Sequence, residues 1–217
     1  MRISIVAGGD IRVSLPNWTP YQVGIEFAKS KAVWIAANRP AEAAPILPGY
    51  RIGKAHRIVF ESAAIDNSSS RLVGTEIRII RPTGMAVTHA DVQKVAQAAS
   101  IRALRTQAVR LLPKRLEQLA AKYGFEYRSI KIRMLTGRWG SCDIHQDIVL
   151  NLFLMQLPWE LIDYVLLHEL IHTKHLNHSV DFWNEFQRHE PNAKLLRTRT
   201  RYYKPQLKPV DGNPVVS

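Results

Sequence analysis

Residues 158–175 restrict the fold more than any other stretch of this chain. Leu161, Ile162, Val165, Leu166 and Leu170 leave little of a helix surface polar, so a helix built here has to lie inside a core. Pro158 suits its first position. Yet His168, Glu169 and His172 ride in the same segment. Their H-E-x-x-H spacing stacks two imidazoles on one helical face, where they can converge on one metal ion with the glutamate close by. A buried polar atom left without a partner costs about 1–3 kcal/mol. A zinc ion supplies such a partner.

The pattern is specific. Eight histidines and ten glutamates in 217 residues give about 0.014 chance occurrences of the motif, and requiring His178 as well lowers this to about 0.0005. His178 is the favoured third ligand. Asn177 tolerates a turn that brings the chain back, and Ser179 is a good N-cap for the helix that follows. His175, Glu185 and Glu190 are the alternatives. His175 on an uninterrupted helix would lie two turns from His168, which suits a tetrahedral ion poorly. His175 and His189 read as surface histidines. The spacing is also that of the metzincin peptidases, but His175 stands where their glycine would be. All four methionines precede the motif, so no downstream Met-turn exists.

Thirty Lys and Arg against eighteen Asp and Glu give a formal charge of +12, which suits an anionic partner without indicating a fold. The excess is spread along the chain and is locally dense only over residues 194–208, which carry six basic residues and no acid. That run, with Tyr202 and Tyr203 inside it, reads as a solvated basic tail, with nucleic acid as a possible partner. The single cysteine, Cys142, excludes an intramolecular disulfide and a multi-cysteine zinc ribbon. No signal peptide or run of roughly 18 apolar residues is present, so a cytoplasmic protein without a membrane partner is expected.

The fold class is α+β. Residues 1–88 are expected to form a small N-terminal unit. It has a hairpin around Gly8-Gly9-Asp10, a helix from residue 20 to about 37, a Pro/Ala connection over 40–49, and strands at 50–60 and 71–80. Residues 89–217 are expected to form the metal-binding domain. Residues 88–123 make a long helix stopped by Gly124, with a kink or break at Pro113. Strands at 129–135 and 147–154 flank a turn at 137–142, and helices follow at 158–175 and 179–189. Phe182, Trp183 and Phe186 recur at helical spacing and read as core.

Arg138-Trp139-Gly140-Ser141-Cys142, Asn151, the segment from Asp163 to His172, Asn177-His178-Ser179 and Phe182-Trp183 together resemble the YgjP-like metallopeptidase family, a relative of the SprT-like zincins. The likeness is close over residues 130–191 and loose elsewhere. It implies a zincin-like core: a backing helix, a small antiparallel sheet and the H-E-x-x-H helix. It also implies zinc at His168, His172 and His178, with Glu169 activating a zinc-bound water. Arg138, Trp139, His145 and Asn151 are candidates for the cleft wall. Arg138, His145, Tyr202 and Tyr203 are unranked candidates for stabilising an oxyanion. The function expected first is a zinc-dependent metallopeptidase acting on peptide or protein. Two alternatives are a metal-dependent nucleoside triphosphate pyrophosphohydrolase, and a nucleic-acid-associated zincin acting on DNA-bound proteins. For a peptide substrate, the strand at 147–154 is expected to offer a sheet edge for pairing.

Overall fold

A computed structural model describes residues 1–5, 11–38 and 44–207. It is a mixed α+β protein with, among the described residues, three small sheets and six α-helices. The chain divides into two compact units, 1–44 and 45–217.

In the first unit, β1 (Arg2–Ile5) pairs antiparallel with β2 (Ile11–Ser14). The Gly8-Gly9-Asp10 turn expected between them lies outside the described residues, as does the connection at 40–43. The single helix expected after them is two, α1 (Tyr21–Ser30) and α2 (Ala32–Asn38). Gly24 is the close-packing point of α1. A Cβ there would meet Leu15 Cδ1 at 2.6 Å.

The second unit begins with β3 (Arg51–Ile52), β4 (His56–Ala63), β5 (Ser69–Val73) and β6 (Glu76–Pro82), arranged β3-β4-β6-β5. The stretches expected as single strands at 50–60 and 71–80 are each divided, at Gly53 and Gly74, both with left-handed φ. β4 and β6 run parallel, while the other pairs are antiparallel. Ile52, Ile58, Ile77 and Ile79 point inward and are buried.

α3 (Ala90–Tyr123) spans 34 residues, about 51 Å at the usual helical rise. It runs through Pro113 as one helix rather than breaking there, and Gly124 closes it with a left-handed cap. It packs both against the four-stranded sheet and against the elements that follow it in the chain. This explains why the unit boundary falls at 44/45 instead of the expected residue 88. The sheet and the later helices share one core because one helix serves both. Buried polar side chains fasten that arrangement. Gln93 accepts from Ile46 N–H at 2.7 Å and donates to Ile46 O and Val87 O at 2.9 and 2.7 Å.

Beyond α3 come β7 (Ser129–Arg133), β8 (Gly140–Cys142) and β9 (Asp147–Asn151). A 3-10 helix (Leu152–Gln156) leads to α4 (Trp159–His172), α5 (Val180–His189) and α6 (Ala193–Arg201). The expected sheet was antiparallel; this one is mixed, with β9 central, parallel to β7 and antiparallel to β8. β9 therefore offers no free edge, and the edges belong to β7 and β8. The expected turn at 137–142 contains a strand, and the supposed solvated tail contains α6, which buries Ala193, Leu196 and Thr200. No helix among the described residues is long and apolar enough to cross a membrane.

Replacing Gln93 with leucine strands the buried Ile46 N–H. The expected cost is about 1–3 kcal/mol, read as a lower denaturation midpoint. An unchanged midpoint would show that Gln93 does not fasten residues 44–48.

Candidate metal centre

α4 is held firmly before it presents any chemistry. Leu161, Ile162, Leu166, Leu170 and Ile171 are fully buried. Arg115 of α3 grips Asp163 with two hydrogen bonds, 2.7 and 2.5 Å. Such a bidentate pair fixes rotation as well as position. The C-terminal end of the helix then carries His168, Glu169 and His172, so the ligand pair inherits a fixed axis.

The imidazole nitrogens of His168, His172 and His178 lie within 4.8 Å of one another. His168 Nε2 is 3.1 Å from His172 Nε2 and 3.0 Å from His178 Nε2. Metal–nitrogen bonds of about 2.0–2.1 Å in tetrahedral geometry put ligand nitrogens about 3.3 Å apart, so the three rings fit one ion. His172 Nδ1 donates to His175 O at 2.8 Å, because a carbonyl can only accept. The Nε2 lone pair of His172 is thereby left for a metal. Burial, with the neighbouring His172, His178 and Arg197 adding to it, pulls the His168 pKa down to about 3. Burial lowers His172 as well. Both are neutral at physiological pH, which is the ligating form.

His178 reaches the cluster from the connection between α4 and α5. Asn177 does not adopt the left-handed φ that its side chain would tolerate. Its Oδ1 instead accepts from Ser179 N–H at 3.3 Å, while Ser179 Oγ caps α5 through Phe182 N–H at 3.4 Å. Phe182, expected as core, is fully buried and forms the floor, its ring centroid 4.7–5.0 Å from all three imidazoles. The alternative ligands are engaged elsewhere. Glu185 contacts Arg188, His189 and Lys174, and Glu190 caps Asn192 N–H.

Glu169 is buried, and its Oε2 has no hydrogen-bond partner; His168 Nδ1 is in the same position. Loss of solvent pushes the Glu169 pKa up to about 8, against the opposing charge of Arg138. β8 closes on this carboxylate. A Cβ at Gly140 would stand 2.6 Å from Glu169 Oε1.

The four cleft candidates occupy different environments. Arg138 is exposed and Trp139 is partly buried against the core. His145 sits on the exposed β8–β9 turn, where its N–H donates to Asp143 Oδ1. Asn151 is fully buried and works as a clamp. Its Nδ2 donates to Leu135 O and Arg138 O at 2.9 and 2.8 Å, and its Oδ1 accepts from Phe153 N–H. The turn is tied to the end of α4 by Gln146 Nε2, which donates to Thr173 O. Cys142 lies outside the histidine cluster, and burial with the Glu169 charge raises its thiol to about 11. Tyr202, an oxyanion candidate, is strongly exposed, and Tyr203 lies at the edge of exposure. The features that sequence reasoning missed are Gly140 as the residue against Glu169 and Gln146 as the tie. The W-G-S-C glycine was the available signal for the first.

Residues 1–203 match the family described as YgjP-like, metallopeptidase domain. Two similar solved structures are metallopeptidase zymogens. Abylysin of Pyrococcus abyssi is 26% identical with a TM-score of 0.39, covering 42% of this chain and 93% of that one. Jannalysin of Methanocaldococcus jannaschii is 22% identical with a TM-score of 0.38 and the same coverage, 42% and 93%. Both likenesses span less than half of this chain, so membership rests on the family match. Comparison with curated proteins finds no match.

The purified chain is expected to bind about one divalent transition-metal ion. Alanine at His168, His172 or His178 should abolish stoichiometric binding, and alanine at His175 should not, since only its backbone is used. Metal analysis decides this. Full occupancy in His178→Ala would remove the third ligand from the assignment.

Proposed function

The chain belongs to the YgjP-like metallopeptidase family, and from that premise we propose that it is a zinc-dependent peptidase in which Glu169 is the general base. The observation that carries the reading is the convergence of three imidazoles beside a buried carboxylate whose Oε2 has no hydrogen-bond partner. Zinc suits the donor set, because three imidazoles make a borderline nitrogen site with a fourth tetrahedral position left over. When bound, zinc supplies a Lewis acid that lowers the pKa of a water to about 7 and polarises a carbonyl.

The protein's own part falls to Glu169. Its Oε2 takes the proton of the attacking water and returns it to the leaving amine. Burial raises the carboxylate's proton affinity, and a cation held by the imidazoles lowers it. Gly140 keeps the carboxylate's rotamer accessible, since any side chain there would occupy its space. The edge strand β8 supports an extended peptide substrate better than the central β9, because an added strand needs unpaired backbone groups. The arrangement of α3 behind, the mixed sheet beside and α4 within supports a zincin-like core. The nucleotide and DNA-bound-protein alternatives rest on family resemblance, joined for the nucleotide by the +12 charge, which points to an anionic partner without selecting a reaction.

Two substitutions test this. Glu169→Gln should keep about one zinc per chain and lower peptide hydrolysis by about 10²–10⁴-fold. An undiminished rate would remove Glu169 from the mechanism. Gly140→Ala should lower kcat while zinc content holds, because the new methyl displaces Glu169 and no ligand. Wild-type kcat in that variant would contradict the role given to β8.

A further inference from the structure

We propose that the cleft over the three imidazoles selects peptides with an acidic side chain beside the bond to be cut, and that Arg197 reads that side chain. The inference rests on the peptidase reading above.

Arg197 lies exposed on α6, with its guanidinium 4.7 Å from the Trp183 ring centroid. Trp183 in turn stacks on His178, centroids 6.0 Å apart and planes inclined by 26°. The guanidinium is therefore two layers from a metal ligand. Stacking uses the plane of the guanidinium and leaves its edge N–H donors for a carboxylate, which they match bidentately. Trp183 also fixes where the fork points, so less side-chain entropy is lost when a ligand binds.

Arg197 has no carboxylate partner among the described residues. Arg115, Arg188 and Arg199 each hold one, respectively Asp163, Glu185 and Glu160. Arg138 is likewise without an ion pair. It lies two residues before Gly140, the residue in contact with Glu169, and Asn151 holds its carbonyl in place. Glu169 is buried, and among the described residues it forms no ion pair with either guanidinium. A substrate carboxylate would.

The test uses the zinc-loaded full chain and peptide pairs differing only by Glu or Gln next to the scissile bond. The wild type should favour the Glu peptide in kcat/KM by about tenfold, the scale of one charge-assisted hydrogen bond. Arg197→Leu keeps an apolar group on Trp183 and should bring the ratio near one, whereas Arg197→Lys, which keeps the charge but neither the stack nor the bidentate fork, should retain only part of it. Arg197→Glu should shift the preference to a Lys peptide. A wild-type ratio near one, or a ratio that survives Arg197→Leu, overturns the proposal. The same pairs are titrated against zinc-loaded Glu169→Gln protein by fluorescence anisotropy. Tighter, Arg197-dependent binding of the Glu peptide without cleavage by the wild type would uphold the charge selection and sink the peptidase reading. Displacement of the Glu peptide by inorganic triphosphate at far lower concentration than by a free Glu-containing peptide would overturn the proposal in favour of a polyphosphate ligand.

Discussion

The burial of a polar pair on an otherwise apolar helix governs the rest of this structure. His168 Nδ1 and Glu169 Oε2 are both out of solvent and without hydrogen-bond partners. Each such atom costs about 1–3 kcal/mol, a loss tolerated only inside a core large enough to absorb it. α4 supplies that core, with Leu161, Ile162, Leu166, Leu170 and Ile171 fully covered and Phe182 and Phe186 completing it from α5. The same burial keeps His168 and His172 neutral and lifts the proton affinity of Glu169. One constraint thus sets both the stability penalty and the chemistry.

Everything else at the centre positions groups around that helix. α3 fixes the axis through Arg115 and Asp163, and Asn151 fixes the chain that leads into β8. Gln146 pins the β8–β9 turn to the end of α4. These contacts are long in sequence and short in space, so they hold the glycine against Glu169 only once the domain has folded. The basic residues of α6 divide between structure and surface, with Arg199 bound to Glu160 and Arg197 stacked on Trp183.

What the sequence made legible was local. The H-E-x-x-H spacing, the return of His178 after a turn and the apolar run of α4 each follow from a helical period or a cap. So does the extent of α3, whose stop at Gly124 is a left-handed C-cap. What it concealed was non-local. β8 has three residues, too few for alternation to register, and its strand character comes from pairing with β9. The parallel β4–β6 pairing joins strands with β5 between them in sequence, and no turn signal announces it. The unit boundary at 44/45 depends on one helix serving two layers, which no composition shift marks. α6 was hidden because four of its nine residues are basic, and only Ala193, Leu196 and Thr200 face inward.

The central claim is that His168, His172 and His178 hold a catalytic metal with one position left open. X-ray absorption at the metal edge of the zinc-loaded chain addresses it most directly. Three imidazole nitrogens at about 2.0–2.1 Å and one further light atom are expected. A sulfur scatterer at about 2.3 Å, which only Cys142 or a methionine could supply, or fewer than three imidazoles, would contradict it.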